Sequence, residues 1–130
     1  MTATETRPPE RPRHKPSAEA RSWAFMRLSG LLLLFFALVH FAITHIVNDV
    51  VETDYDFVAE RWHNPAWRVF DWMLLVLALS HGLNGLRWIV DDYVRTPRRN
   101  RAVKGLLYGL TAVLAVVGTI TIVIFPSAPR

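Results

Sequence analysis

Residues 72–93 read WMLLVLALSHGLNGLRWIVDDY, an apolar run from Trp72 to Val90 with His81 at its middle, closed by Asp91, Asp92 and Tyr93. Such a run suits the roughly 20 residues that carry a helix across about 30 Å of hydrocarbon. An ionisable side chain inside a lipid-spanning helix is costly, so it normally has a partner and marks a functional position. This one stretch therefore points both to a membrane fold and to the place where chemistry belongs.

Two further apolar blocks, Leu28 to Val47 and Gly105 to Phe125, flank it, and 52% of the 130 residues are hydrophobic. Apolar residues gathered in blocks fit membrane spans better than a soluble core. The pattern predicts an all-α membrane protein with three transmembrane helices, spans at about 26–47, 69–90 and 104–125, and no room for a soluble domain. The chain has no cysteine, which excludes a disulfide, a thiolate nucleophile, Cys-ligated zinc and an iron–sulfur cluster held by this chain. Any redox cofactor must use histidine.

The net charge of +4 raises nucleic acid as a partner, but the basic residues sit at helix ends and read as topology signals. Arg7, Arg11, Arg13, Lys15 and Arg21 precede the first span, and Arg95, Arg98, Arg99, Arg101 and Lys104 separate the second from the third. The first connection has only Arg61 and Arg68, and the tail only Arg130. The positive-inside rule then predicts a cytoplasmic N-terminus and an outside C-terminus.

Residues 1–22, with Pro8, Pro9, Pro12 and Pro16 and little apolar content, read as a flexible, basic, Pro-rich cytoplasmic tail. Residues 23–130 form the three-helix anchor. A signal peptide would have a shorter apolar stretch and an early cleavage site, so the first span is expected to be retained. Glu5, Glu10 and Glu19 argue against a mitochondrial presequence, which favours a bacterial plasma membrane. The outer connection, about residues 48–68, carries Asp49, Glu52, Asp54, Asp56 and Glu60 but lacks the glycine turn and terminal glutamate of an EF-hand loop. It reads as a solvated acidic loop, with Trp62 and Trp67 in a membrane-interface belt. The third span has glycines and small residues for close packing, no ionisable group, and a structural role.

At 100° per residue, His81, Gly85, Trp88 and Asp92 fall on one stripe of a helix, and His81 lies about 16 Å deeper than Asp92. An imidazole at mid-depth with a glycine one turn away suits a haem, which needs an axial ligand and room for a flat ring. The Asp92–Tyr93 pair at the basic edge suits a quinone, because a phenol can donate to a quinone carbonyl and a carboxylate can pass protons from the aqueous side. Asp91, about 80° off the His81 axis, is set aside in favour of Asp92. A plainer reading stands beside this one: His81 bonds a neighbouring helix, Gly85 is a packing notch and Asp92–Tyr93 an interfacial cap. Arg87 either snorkels to the headgroups or meets an anionic group such as a haem propionate.

The spacing His-x3-Gly-x6-Asp-Tyr, here His81, Gly85, Asp92 and Tyr93, resembles the second helix of the small D-type hydrophobic membrane anchor of succinate dehydrogenase, the succinate:quinone oxidoreductase called complex II. Arg27-Leu28-Ser29-Gly30 at the entrance to the first span is also similar to the Arg-x-Ser/Thr-Gly start of such anchors. The close match covers about fourteen residues, while topology and length agree over the rest. The resemblance implies that His81 is an axial ligand of haem b and that Tyr93, with Asp92 beside it, binds quinone, either menaquinone or ubiquinone. It also implies a second anchor chain giving the other haem histidine, an iron–sulfur subunit and a flavoprotein subunit. Such a chain catalyses nothing alone. A fumarate reductase anchor and a non-redox assembly or packing subunit are the rival readings. A small transporter is disfavoured by the absence of inverted repeats or broken helices.

His40 is the competing iron ligand, in the outer part of the first span. With Arg27 and Asp91 as inner edges it lies about 20 Å deep against about 15 Å for His81, a mismatch of roughly one helical turn. His45 is expected to reach water near the outer loop, and His14 and His63 lie in polar flanks without a site signal.

Overall fold

The computed structural model describes residues 17–126, in which helices account for nearly all of the chain and no strand occurs. The tail expected over 1–22 lies outside the described residues as far as residue 16. Three long helices dominate: α1 (Ala18–Ala42), α3 (Pro65–Tyr93) and α4 (Pro97–Ile124), with a short α2 (Tyr55–Arg61) in the first connection. Each long helix is long and apolar enough to cross a membrane, with α1 extended through Val47. The protein is a multi-pass integral membrane protein.

Every long helix starts earlier than the apolar blocks predict, and local capping explains why. Ser17 caps α1 by accepting from the Ala20 amide at 3.2 Å, with Glu19 in the first turn, where a carboxylate meets the positive end of the helix dipole. Residues 18–22, assigned from composition to the tail, are therefore helical. Asn64 accepts from the Ala66 amide at 2.9 Å, and Pro65 opens α3, a position where its missing N–H costs nothing. Pro97 opens α4 in the same way. The basic residues from Arg98 to Lys104 thus lie on the first turns of a helix rather than in a loop. Hydrophobicity marks the part of a helix inside lipid, whereas caps mark where the backbone bonding begins.

At its outer end α1 widens into a π-helical segment, Ile43–Val47, in which the Asn48 amide donates five residues back to Ile43 at 3.2 Å. The Thr44 hydroxyl donates to the His40 carbonyl at 2.9 Å and so competes for the acceptor that a regular turn would use. The acidic connection is ordered: Asp49 caps a 3₁₀ turn at Val50–Glu52, and Asp54 caps α2 by accepting from the Phe57 amide at 3.0 Å.

Helix α3 is the middle of the bundle and packs against both α1 and α4, which hardly touch each other. Phe36 of α1 stacks on Phe70 of α3 at 4.9 Å between ring centres. Against α4 there is a close approach at Gly118, where a Cβ would come within 2.7 Å of Leu75, the small-residue packing predicted for that span. Gly105 and Gly109 have open space around them and serve no such contact among the described residues. Arg68, read from sequence as part of a charge count, closes the outer end: its guanidinium donates to the carbonyls of Ile122, Val123 and Phe125 at 2.7–2.9 Å and its Nε to Trp62 at 2.8 Å. These are the orphan carbonyls at a helix C-terminus, where a cation is also favoured by the dipole. Very little is buried: Ala59, Val90, Ile122, Ser29 and Thr44 alone among the described residues, while Leu31, Leu34, Phe35 and Leu38 face outward. Such a surface belongs against lipid or against other helices.

Candidate functional site at His81

His81 lies just past the middle of α3, half-buried against α1. Ser29 Oγ is 2.9 Å from its Nδ1, and Ser29 is buried, at 2% exposure. Gly30 lies beside the imidazole, so close that a Cβ there would stand 3.2 Å from Cε1. Among the described residues Nε2 has no hydrogen-bond partner. One nitrogen is therefore held by α1 and the other left with a free position, as a metal-ligating histidine requires.

The glycines divide differently from the sequence expectation. Gly85, read as the place where a flat ring passes, faces Met26 of the same chain, and a Cβ there would sit at an ordinary 3.5 Å from the Met26 methyl. Gly30, noted only as part of the Arg27-Leu28-Ser29-Gly30 segment, is the glycine that the imidazole approaches. Spacing along one helix shows what shares a face; it cannot show which residue of another helix that face meets.

Toward the basic end, Ser22 of α1 and Asn84 of α3 pair through Asn84 Nδ2 at 3.0 Å, and Arg87 donates to Asn84 Oδ1 at 3.3 Å. The Arg87 Nε–H is buried without a hydrogen-bond partner among the described residues. A cavity of about 490 Å³ opens beside this group, lined by Ser22, Arg87, Trp88, Asp91 and Asp92 among others. Asp91 is tied to Lys104 and Asn100 of α4, whereas Asp92 has no hydrogen-bonding partner among the described residues. Tyr93 ends α3, 82% exposed, and does not line that cavity. The structure thus gathers His81 with Ser29 and Gly30, and Arg87 with Ser22, Asn84 and Asp92, and leaves Tyr93 on the surface.

His40 belongs to another centre. Its Nδ1 donates to Asp71 Oδ1 at 3.3 Å, and Asp71 also accepts from Arg61 Nη2 and Trp62 Nε1, both at 2.7 Å. Asp71 precedes His81 by ten residues, so the two histidines meet α3 at levels about 15 Å apart. The one-turn mismatch expected from sequence is too small because Arg27 and Asp91 are not level: α1 meets α3 with Ser22 at Asn84 and Ser29 at His81. His40 and His81 of one chain do not share a metal. A cavity of about 570 Å³, largely apolar, adjoins this outer centre. His45 stacks on Phe41 at 4.5 Å and lies 2.7 Å from the Thr44 hydroxyl. His14 lies outside the described residues.

Sequence reasoning gives no role to Asp71, Ser22 or Asn84 and notes Ser29 only within the Arg27-Leu28-Ser29-Gly30 segment. Asp71 sits within the expected span 69–90, so the rule that singled out His81 applies to it equally. No three or more His, Asp or Glu side chains among the described residues gather as a metal cluster, and a metal at His81 needs ligands from elsewhere.

Residues 1–124 match the family described as succinate dehydrogenase/fumarate reductase transmembrane subunit. The chain belongs to that family. It is 31% identical over 93 residues to the succinate dehydrogenase hydrophobic membrane anchor subunit of Thermoplasma acidophilum, covering 72% of this chain and 76% of that one. The protein of the same name from Archaeoglobus fulgidus is also 31% identical over 93 residues, covering 71% and 78%. Succinate dehydrogenase 2 membrane subunit SdhC of Mycobacterium tuberculosis is 28% identical over 92 residues, covering 71% and 67%. The chain is therefore a succinate dehydrogenase membrane anchor, as the His81 to Tyr93 spacing and the three apolar blocks led one to expect.

Proposed function

We propose that this chain is the D-type anchor of a succinate:quinone oxidoreductase in a bacterial plasma membrane, with its N-terminus cytoplasmic. It helps bind haem b and quinone and passes electrons from an iron–sulfur subunit to quinone, while succinate is oxidised on a flavoprotein subunit. The observation that carries the reading is the held imidazole: Nδ1 of His81 against Ser29 Oγ at 2.9 Å, Nε2 without a hydrogen-bond partner among the described residues, and a glycine at the ring edge. These residues fit an axial haem ligand. His40 stands about three turns away, so a second histidine for the haem would come from a second anchor chain.

Bound haem supplies a one-electron store between the iron–sulfur partner and quinone. The chain's own residues do the rest. His81 would hold the haem iron through Nε2. The unpartnered Arg87 Nε–H, buried at the basic end, offers a donor to a propionate. Tyr93 donates its hydroxyl to a quinone carbonyl, and Asp92, at the cavity edge, exchanges protons with the cytoplasmic water. Because Tyr93 is so exposed, other chains of the complex must supply the remaining walls of the quinone site. Quinone is menaquinone or ubiquinone.

Purification in mild detergent, with a reduced-minus-oxidised spectrum and mass identification of the accompanying chains, tests the reading. Haem b bands together with a flavoprotein, an iron–sulfur protein and a second anchor support it. A haem-free preparation lacking a flavoprotein overturns it and favours a non-redox packing role. The family description also covers fumarate reductase; comparing quinone reduction by succinate with fumarate reduction by quinol decides the direction.

A further inference from the structure

We propose that Ser29 is the positioning residue of the His81 imidazole: its hydroxyl oxygen accepts the Nδ1 proton, which leaves the Nε2 lone pair as the ring's one ligating position. The inference deepens the haem reading above and rests on His81 being the axial ligand.

Four observations converge on it. Ser29 Oγ lies 2.9 Å from Nδ1, well within the range of a formed bond. Ser29 is 2% exposed, so water does not compete for the acceptor. The serine's own proton has a long outlet on the Met26 carbonyl at 3.5 Å, which leaves its lone pairs turned to the imidazole. Gly30, next in the chain, packs at the ring edge at a distance where a methyl group would press on Cε1. The hydroxyl thus selects the tautomer, while the missing side chain admits the ring in that orientation.

The chemistry of the acceptor sets the electronic consequence. An acceptor on the remote nitrogen raises the basicity of a ligating imidazole, and hydrogen bonding beyond the iron's own ligands is one of the levers that tune a haem potential. A hydroxyl is a neutral, modest acceptor. Contrast Asp71, which offers His40 a carboxylate. Ser29 therefore gives His81 a defined orientation with a small push of electron density toward the iron, and its loss weakens the ferric state more than the ferrous one.

The test uses the complete complex, with Ser29→Ala, Ser29→Thr and Ser29→Val in this chain. The readouts are haem content, reduced bands and the haem midpoint potential. Thr and Val add the same bulk and differ in the hydroxyl, so the pair separates hydrogen bonding from packing. Ser29→Ala and Ser29→Val are expected to raise the potential and to release haem more readily, by roughly the ten- to hundredfold typical of losing such a support. A tenfold differential between the two oxidation states reads as about 59 mV for a one-electron couple. Ser29→Thr is expected to stay near wild type. Wild-type potential and haem retention in all three variants, or equal shifts for Thr and Val, would overturn the role of the hydroxyl. A His81→Leu complex that keeps wild-type bands would instead overturn the ligand assignment beneath it, and the two failures are told apart by that variant alone.

Discussion

His81 and His40 are both held through Nδ1, yet in opposite ways. His81 meets a neutral hydroxyl on the neighbouring helix in a largely apolar setting. His40 meets Asp71, whose charge is balanced by Arg61 and whose second oxygen takes the Trp62 indole. The inner centre is small, one imidazole against one hydroxyl; the outer centre is a charged network around Asp71, within which the Arg61 Nε–H is buried without a hydrogen-bond partner among the described residues. An unpaired buried charge is expensive, so a network of this kind stands or falls as a whole. The outer centre ties α1, α2 and α3 together through charge, whereas the inner one sets a single imidazole against α1 alone.

The sharpest way to break that distinction is to remove each imidazole. His81→Leu in the assembled complex is expected to abolish or displace the reduced-haem bands, while His40→Leu leaves them in place; the reverse result would exchange the two roles. Next in size is Asp71→Ala. Removing one partner of a buried pair leaves Arg61, at 10% side-chain exposure, without compensation, and costs about 3–5 kcal/mol. Thermal unfolding in detergent reads it, and replacing Arg61 and Asp71 together by leucine should recover much of the loss. An equal loss in the single and double variants would mean that the network contributes packing rather than charge balance.

A smaller effect is expected at Arg68. Its donors satisfy carbonyls at the end of α4, and charge-assisted bonds are worth roughly 1.5–3 kcal/mol where they cannot be replaced. Arg68→Ala should therefore lower stability by about that much and speed amide exchange in the last turn of α4, with the haem bands unmoved. The smallest structural effect belongs to Tyr93→Phe, since the side chain stands 82% exposed. Assembly and melting should be unchanged while quinone reduction falls and succinate oxidation with an artificial acceptor persists. Unimpaired quinone reduction removes Tyr93 from the site.

Much of this architecture was legible in sequence because lipid makes composition decisive. Three apolar blocks near the length of a bilayer crossing allow only three helices, since backbone polar groups in hydrocarbon must be satisfied within the segment. The same cost exposes His81. Helix starts were misplaced by several residues because Ser17, Asn64 and Pro97 act on the backbone outside the apolar zone. The sequence places His40 too near the level of His81 because it gives no offset between the charged ends of two helices, which only interhelical bonds reveal.

By itself, then, the sequence determined the three spans, the stripe from His81 to Asp92 and the absence of any cysteine-bound cofactor in this chain. All of these follow from periodicity, length and residue chemistry along one chain. The tertiary structure decided what each stripe faces: Ser29 and Gly30 for His81, Met26 for Gly85, Asp71 for His40, and the last carbonyls of α4 for Arg68. Helices in lipid are fixed in length by the bilayer, but their register is set by a few polar bonds and close contacts between residues far apart in sequence. That is why the histidine could be found before its partner was.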